Sequence, residues 1–320
     1  MAGNSSDETL NFKPILHSKR ANLFYLEHCR ILQKDGRVLY LSESQTESQF
    51  WNIPIANTTA LLLGTGTSIT QAAVRMLSSA GVIIGFCGGG GTPLLQATEI
   101  EWFTPQNEYR PTEYLQKWVA WWFDEQARLE VAKSFQRSRI CYLKNVWSSD
   151  KDLQSYGIYI DGLQIERALS VFENKISQSK NITSLLSCEA EFTKQLYSFS
   201  SKTLKVDDFN RNRNSQDSIN TFLNHGNYLA YGSAATALWV LGIPYAFAVM
   251  HGKTRRGALV FDVADLIKDA IVLPWSFILG KDNTKETEFR QMILQKMSQH
   301  KSLDFMFSTI KNVTVTKELN

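Results

Sequence analysis

The chain runs to 320 residues, of which 43% are hydrophobic and 20% charged, with few prolines and glycines. That balance excludes a disordered or fibrous protein, provides for a sizeable core, and at this length suggests two domains rather than one. A formal net charge of +3 neither demands nor excludes nucleic acid, so local clusters of cations have to decide that question.

After a polar leader, Met1 to Asn11, the pattern is that of β-structure. Leu23 to Leu26, Arg30 to Gln33 and Arg37 to Leu41 are short apolar or alternating runs, and Lys34-Asp35-Gly36 between the last two predicts a hairpin turn. Asn52-Ile53-Pro54 predicts a further turn and Asn57 to Leu63 a strand. Thr67 to Ala80 has the apolar spacing of a helix, with a polar start at Thr65 to Ser68 and Gly81 as its stop. Val82 to Phe86 reads as a buried strand closed by a glycine run.

From about Arg110 the period becomes helical. Pro111-Thr112-Glu113 is a helix start, and Leu115, Trp118, Val119 and Trp122 recur on one face. Further helices are expected at Leu163 to Ile176, Ile182 to Phe199, Ile219 to Leu241, Asp262 to Val272 and Glu286 to Met306. Asn210 to Ser218 is a polar break, and Asn312 to Asn320 is expected to fray. The expected fold is therefore α+β: a β-rich N-terminal domain over residues 1–105, then a larger all-α domain over 106–320.

Cys29, Cys87, Cys141 and Cys188 lie far apart, without the spacing of a zinc knuckle or redox pair, so free thiols in a reducing cytosol are expected. No apolar run approaches the ~20 residues of a membrane helix, and the polar start is unlike a signal peptide. A cytoplasmic protein is expected.

Glu189 is the most informative residue. At about 100° per residue, Leu185, Leu186, Phe192 and Leu196 form one apolar helix face with Glu189 at its centre, while Glu191 points away. A carboxylate there must be neutral, paired or bound to a cation. Its plain explanation is an Arg or Lys from another helix. The functional one takes His251, in His-Gly-Lys-Thr-Arg-Arg-Gly, and Asp265, in Phe-Asp-Val-Ala-Asp-Leu-Ile-Lys, as companions: two carboxylates and an imidazole suit Mg²⁺ or Mn²⁺. Asp262 shares a helix face with Asp265 and Asp269, but directly precedes the apolar periodicity and reads as an N-cap, which leaves Asp265 as the better ligand.

Lys253, Arg255 and Arg256 make the loop after His251 cationic, either simply solvated or holding phosphate. Arg128, Arg137, Arg139, Lys144, Lys202, Lys205, Arg211 and Arg213 are further cations that could track a duplex, whereas Trp118, Trp121, Trp122, Phe135 and Trp147 are spaced as core. Gly64-Thr65-Gly66 could cradle a phosphate, but lacks the lysine and spacing of a nucleotide loop; tight turns explain it, and the four glycines after Cys87, more simply.

The sequence resembles the CRISPR-associated endonuclease that serves as the integrase subunit of the spacer-acquisition complex, in its subtype I-F branch. The resemblance is carried by His17 to Asn22, Trp51 to Asn57, Leu63 to Ser68, Phe86 to Pro93, Tyr109 to Tyr114, Asn224 to Gly232, His251 to Gly257 and Phe261 to Lys268, and extends over residues 12 to about 310. It implies metal ligands at Glu189, His251 and Asp265, with Asp262 and Lys268 in support and Ala190 in place of a common glycine. It also implies a homodimer through the β-domain, a catalytic helical domain, and a small adaptation subunit fused to a helicase-nuclease as partner, all acting on double-stranded and branched DNA. Residues 157–180 match least and receive no role. The competing expectations are a non-catalytic DNA-binding scaffold, in which an arginine holds Glu189, and a nucleotide-binding module built on the glycine loops.

Overall fold

Alternating and continuous apolar runs sort the N-terminal strands into two sheets. The computed structural model describes residues 22–43, 48–91, 100–105, 111–206, 209–252 and 257–315. Strands β2 (Cys29–Lys34) and β3 (Arg37–Glu43) form the expected hairpin. Asp35 and Gly36 at its turn both have positive φ, 51° and 70°, as a two-residue turn matching the strand twist requires. β4 (Ser48–Ile53) extends β3 where only a turn was expected, and the two-residue β6 (Ser68–Ile69) pairs with β2, so the order is β4-β3-β2-β6. β4 carries the exposed Phe50 and Trp51 among polar residues, a weak strand signal.

The second sheet has order β1-β5-β7-β8, from β1 (Asn22–Leu26), β5 (Thr58–Leu63), β7 (Ile83–Phe86) and β8 (Glu101–Phe103), with the first three parallel and β8 antiparallel. β5 is buried along its whole length, the pattern of a parallel strand covered on both faces. Leu61 and Leu63 join a small core with Ile31, Val38 and Leu77 of helix α1 (Gln71–Ser79). Ala60 faces the other way, onto Trp239. Helix α1 starts later than expected because Ser68 and Ile69 are in β6 and Thr70 is the N-cap, its Oγ1 accepting from the Ala73 N–H at 3.3 Å.

The remainder is helical: α2 (Glu113–Trp122), α3 (Glu125–Ser149), α4 (Lys151–Ser155), α5 (Leu163–Gln178), α6 (Ile182–Leu204), α7 (Ser218–Val240), α8 (Ala258–Lys268), α9 (Val272–Lys281), α10 (Glu286–Gln299) and α11 (Ser302–Val315). The α+β expectation thus describes the chain: two sheets, then helices. Residues 106–110, beside the expected boundary, lie outside the described residues.

Further helix limits differ from expectation, α6 among them, which runs on from the expected Phe199 to Leu204. The helix expected at Asp262 to Val272 starts a full turn earlier, at Ala258 after Gly257 (φ 73°), and ends at Lys268. Glu286 to Met306 is two helices, broken at Lys301 (φ 50°). Asn312 to Val315, expected to fray, form the last turn of α11. Among the described residues no helix is long and apolar enough to cross a membrane.

Candidate active site

Helix α6 brings Glu189 to the site. Its N-terminus is held by reciprocal capping, the Asn181 side chain accepting from the Ser184 N–H and the Ser184 hydroxyl accepting from the Asn181 N–H. Leu185, Phe192 and Leu196 are buried, and Phe192 stacks on Phe172 of α5 with ring centroids 4.3 Å apart. Glu189 lies in this stripe with 17% of its side chain exposed, whereas Glu191 turns outward to Lys175. The plain explanation for Glu189 is present in the structure. Arg139 of α3 donates from Nη1 to Glu189 Oε1 at 2.7 Å, and the Thr193 hydroxyl donates to the same oxygen at 3.1 Å.

Arg139 was expected among the cations available to a duplex; the structure buries it at 2% exposure. It reaches Asp269 from Nε at 2.6 Å, Thr193 from Nη2 at 3.0 Å and Gln136 from Nη1 at 3.2 Å. Burial alone would lower its pKa, but the charges of Asp269, Glu189 and Asp265 override burial and raise it. Sequence reasoning missed its pairing with Glu189 and the roles of Thr193 and Asp269. The available signal was Arg139 itself, a base between Phe135 and Leu143 on a buried face.

Asp262 is no N-cap of its own helix. It sits one turn inside α8, 4% exposed, and accepts the backbone N–H groups of Val249, Met250 and His251 at 2.6, 3.1 and 3.1 Å. It also meets His251 Nδ1 at 2.6 Å, which fixes the ring and turns Nε2 toward Asp265 Oδ2, 3.8 Å away. Burial would push the His251 pKa down; the hydrogen bond to Asp262 and the charges of Asp265 and Asp262 prevail and raise it. Asp265 is buried and ion-paired with Lys268 one turn on. Burial would raise its pKa, yet the cations Lys268, His251 and Arg139 hold it below the usual carboxylate range.

Glu189, His251, Asp265 and Lys268 line one cleft of about 1370 Å³, together with Arg139, Asp269, Tyr228 and Tyr231. Lys194, Lys202, Arg211 and Arg213 line it as well. The three expected ligands therefore share a cavity. Among the described residues, however, no three His, Cys, Asp or Glu side chains stand close enough to hold an ion as they are; Glu189 is paired with Arg139 and Asp265 with Lys268.

Lys253, Arg255 and Arg256 lie outside the described residues. Of the other cations, Arg128 is buried against the Trp122 carbonyl, away from any duplex, while Lys144 pairs with Glu173 at the surface. The core aromatics Trp118, Trp121, Phe135 and Trp147 are buried as expected. A Cβ on Gly64 would lie 2.4 Å from Tyr25 Oη, and the Gly64 N–H donates to the Leu26 carbonyl, so this glycine serves close packing. All four cysteines are free, and burial pushes Cys87 up to about 12.

Comparison with known proteins follows the same outline. The family model described as CRISPR associated protein Cas1 matches residues 23–296. The CRISPR-associated endonuclease Cas1 of Pseudomonas aeruginosa (strain UCBPP-PA14) is 52% identical over 307 residues, covering 94% of this chain and 95% of that one. Among solved structures, a Cas1 protein from Thermotoga maritima superposes with a TM-score of 0.73 at 16% identity, covering 93% of this chain and 98% of its own. A TtCas1–DNA complex gives 0.66 at 21% identity, covering 93% of each chain.

Proposed function

The chain belongs to the Cas1 family of CRISPR-associated proteins, and from that premise we propose that it is a metal-dependent DNA endonuclease and integrase of spacer acquisition, inserting foreign DNA fragments into a CRISPR array. One observation carries the reading: Glu189, His251 and Asp265, from three separate segments, converge on one cleft, with His251 oriented by Asp262. The related P. aeruginosa protein is named an endonuclease, and a structural neighbour is a complex with DNA.

The donor set suits the cofactor. Two carboxylates and an imidazole whose Nδ1 is tied to a carboxylate form the arrangement in which a histidine presents Nε2 to a hard divalent ion. Mg²⁺ or Mn²⁺ held by Glu189, His251 and Asp265 would polarise the scissile phosphodiester and stabilise the leaving oxygen. Asp262 keeps the imidazole in place through the three backbone amides it also holds. Lys268 is a long, flexible partner, so it can leave Asp265 and set its ammonium against the phosphate. Arg139 holds Glu189 against the cleft wall. Lys253, Arg255 and Arg256 would neutralise phosphate beside the site. The attacking group is a DNA 3′-hydroxyl in integration and water in cleavage.

The same reading includes a cytoplasmic homodimer formed through the β-rich domain, and the subtype I-F partner, a small adaptation subunit fused to a helicase-nuclease. His251→Ala or Asp265→Ala is expected to abolish strand transfer and cleavage of branched DNA while duplex binding persists. Normal activity in either variant, or full activity in EDTA, overturns the metal mechanism. One observation favours the alternative of a non-catalytic DNA-binding scaffold: Arg139 already neutralises Glu189. A manganese soak separates the two, because the scaffold binds no ion among these three side chains.

A further inference from the structure

The cleft holds two kinds of cation. Arg139 is ion-paired with Glu189 and Asp269, and Lys268 with Asp265, so their charge is balanced within the protein. Arg211 is held differently. Its Nη1 donates to Asn220 Oδ1 at 2.8 Å and its Nη2 to Asn224 Oδ1 at 2.6 Å, two neutral amides one turn apart on α7. Among the described residues no carboxylate forms an ion pair with Arg211. A half-buried guanidinium fixed by neutral acceptors keeps its full charge where the surroundings screen it less than water would.

The two asparagines do more than touch the arginine. Asn220, 2% exposed, accepts the Asn212 N–H at 2.9 Å and donates to the Asn210 carbonyl at 3.0 Å and to Asp217 at 2.7 Å. Asn224 donates to the Arg213 carbonyl at 2.9 Å. Together they pin the loop bearing Arg211 to α7 and set the direction of the guanidinium in the cleft that Glu189, His251 and Asp265 line.

We infer that Arg211 is the fixed receptor for a backbone phosphate of the DNA strand in this cleft, and that Asn220 and Asn224 are the positioning residues that aim it. This rests on the DNA-processing reading above. A phosphodiester, with two charged non-bridging oxygens, matches a planar, pre-oriented guanidinium better than a mobile lysine.

The test uses the full chain and a fluorescent branched DNA, with affinity measured across a salt series and thermal stability alongside. Arg211→Ala is expected to weaken binding about tenfold and to reduce the slope of log K against log salt by about 1. Arg211→Lys keeps the slope but not the affinity. Asn224→Ala keeps the slope, weakens binding severalfold, and has no further effect in an Arg211→Ala background. Additive losses from Arg211 and Asn224 overturn the positioning role. An Arg211→Ala protein with lower stability but unchanged slope and affinity reduces Arg211 to a structural residue. If that variant binds DNA normally while His251→Ala has lost turnover, this inference fails alone. If the wild-type chain binds no DNA, the functional reading fails with it.

Discussion

Histidine 225 shows how one buried ring makes stability depend on pH. Its side chain is 6% exposed, Nδ1 lies 3.7 Å from Glu286 Oε2, and that nitrogen has no hydrogen-bond partner among the described residues. Burial is the main cause of its lowered pKa, and the charge of Arg290 adds to it; Glu286 and Glu27 oppose without prevailing. The unfolded chain therefore takes up this proton first as pH falls. The contribution of the neutral ring is complete above about pH 6.5, the ordinary histidine value, and is lost as pH drops through the lower folded one. His225→Asn should remove that part of the acid sensitivity. Melting temperatures of the two proteins compared at neutral and mildly acidic pH check this, and parallel losses would refute it.

At the same scale, the site was half legible. Glu189 stands out because a charge interrupts an apolar stripe, and His251 and Asp265 follow from loop and helix spacing together with the family resemblance. Arg139 interrupts a buried face of α3 in the same way, and an equal test applied to bases as to acids would have marked it. Asp262 misled because capping was assigned to its own helix; its oxygens serve the amides of an earlier segment, a long-range pairing that local periodicity does not encode.

Among the elements, those with strong local chemistry were the readable ones. Asp35-Gly36 marks its hairpin, the run ending at Leu63 marks its strand, and the apolar period from Ile182 marks the start of α6. β4, β8 and the division between α10 and α11 were not readable, because each depends on a partner surface rather than on its own pattern. Since α6 begins on a capping side chain and carries Glu189 two turns later, its cap can be weakened without touching the cleft. Asn181→Ala should lower unfolding free energy by about 1 kcal/mol and leave the proposed strand transfer intact. Denaturant titration beside a strand-transfer assay checks both halves; lost activity without lost stability would show that the cap is not the relevant contact.

Across the whole molecule, distant segments are joined by buried ion networks. Lys296 of α10, 1% exposed, donates to Asp150 at 2.9 Å and to Asp152 at 2.6 Å, while His300 Nε2 meets the other Asp150 oxygen at 2.8 Å. Asp150 in turn ends α3 and caps α4. The network therefore fastens α10 to the far end of the helix that carries Arg139. Lys296→Met should destabilise by about 1.5–3 kcal/mol, because the buried Asp150 loses its ammonium and keeps only His300 and the α4 amides. Adding Asp150→Asn should recover part of that loss, and a double variant no more stable than the single one would contradict the account.

Arg139 also bears on any attempt to move this chemistry elsewhere. Its guanidinium belongs to α3, yet it answers Glu189 on α6 and Asp269 at the end of α8. A transplanted α6 would arrive with its acid and without the counter-charge that makes a greasy setting tolerable. For this acid alone the smallest portable unit is accordingly three helices crossing at one side chain, and a graft of fewer would have to supply a new base of its own.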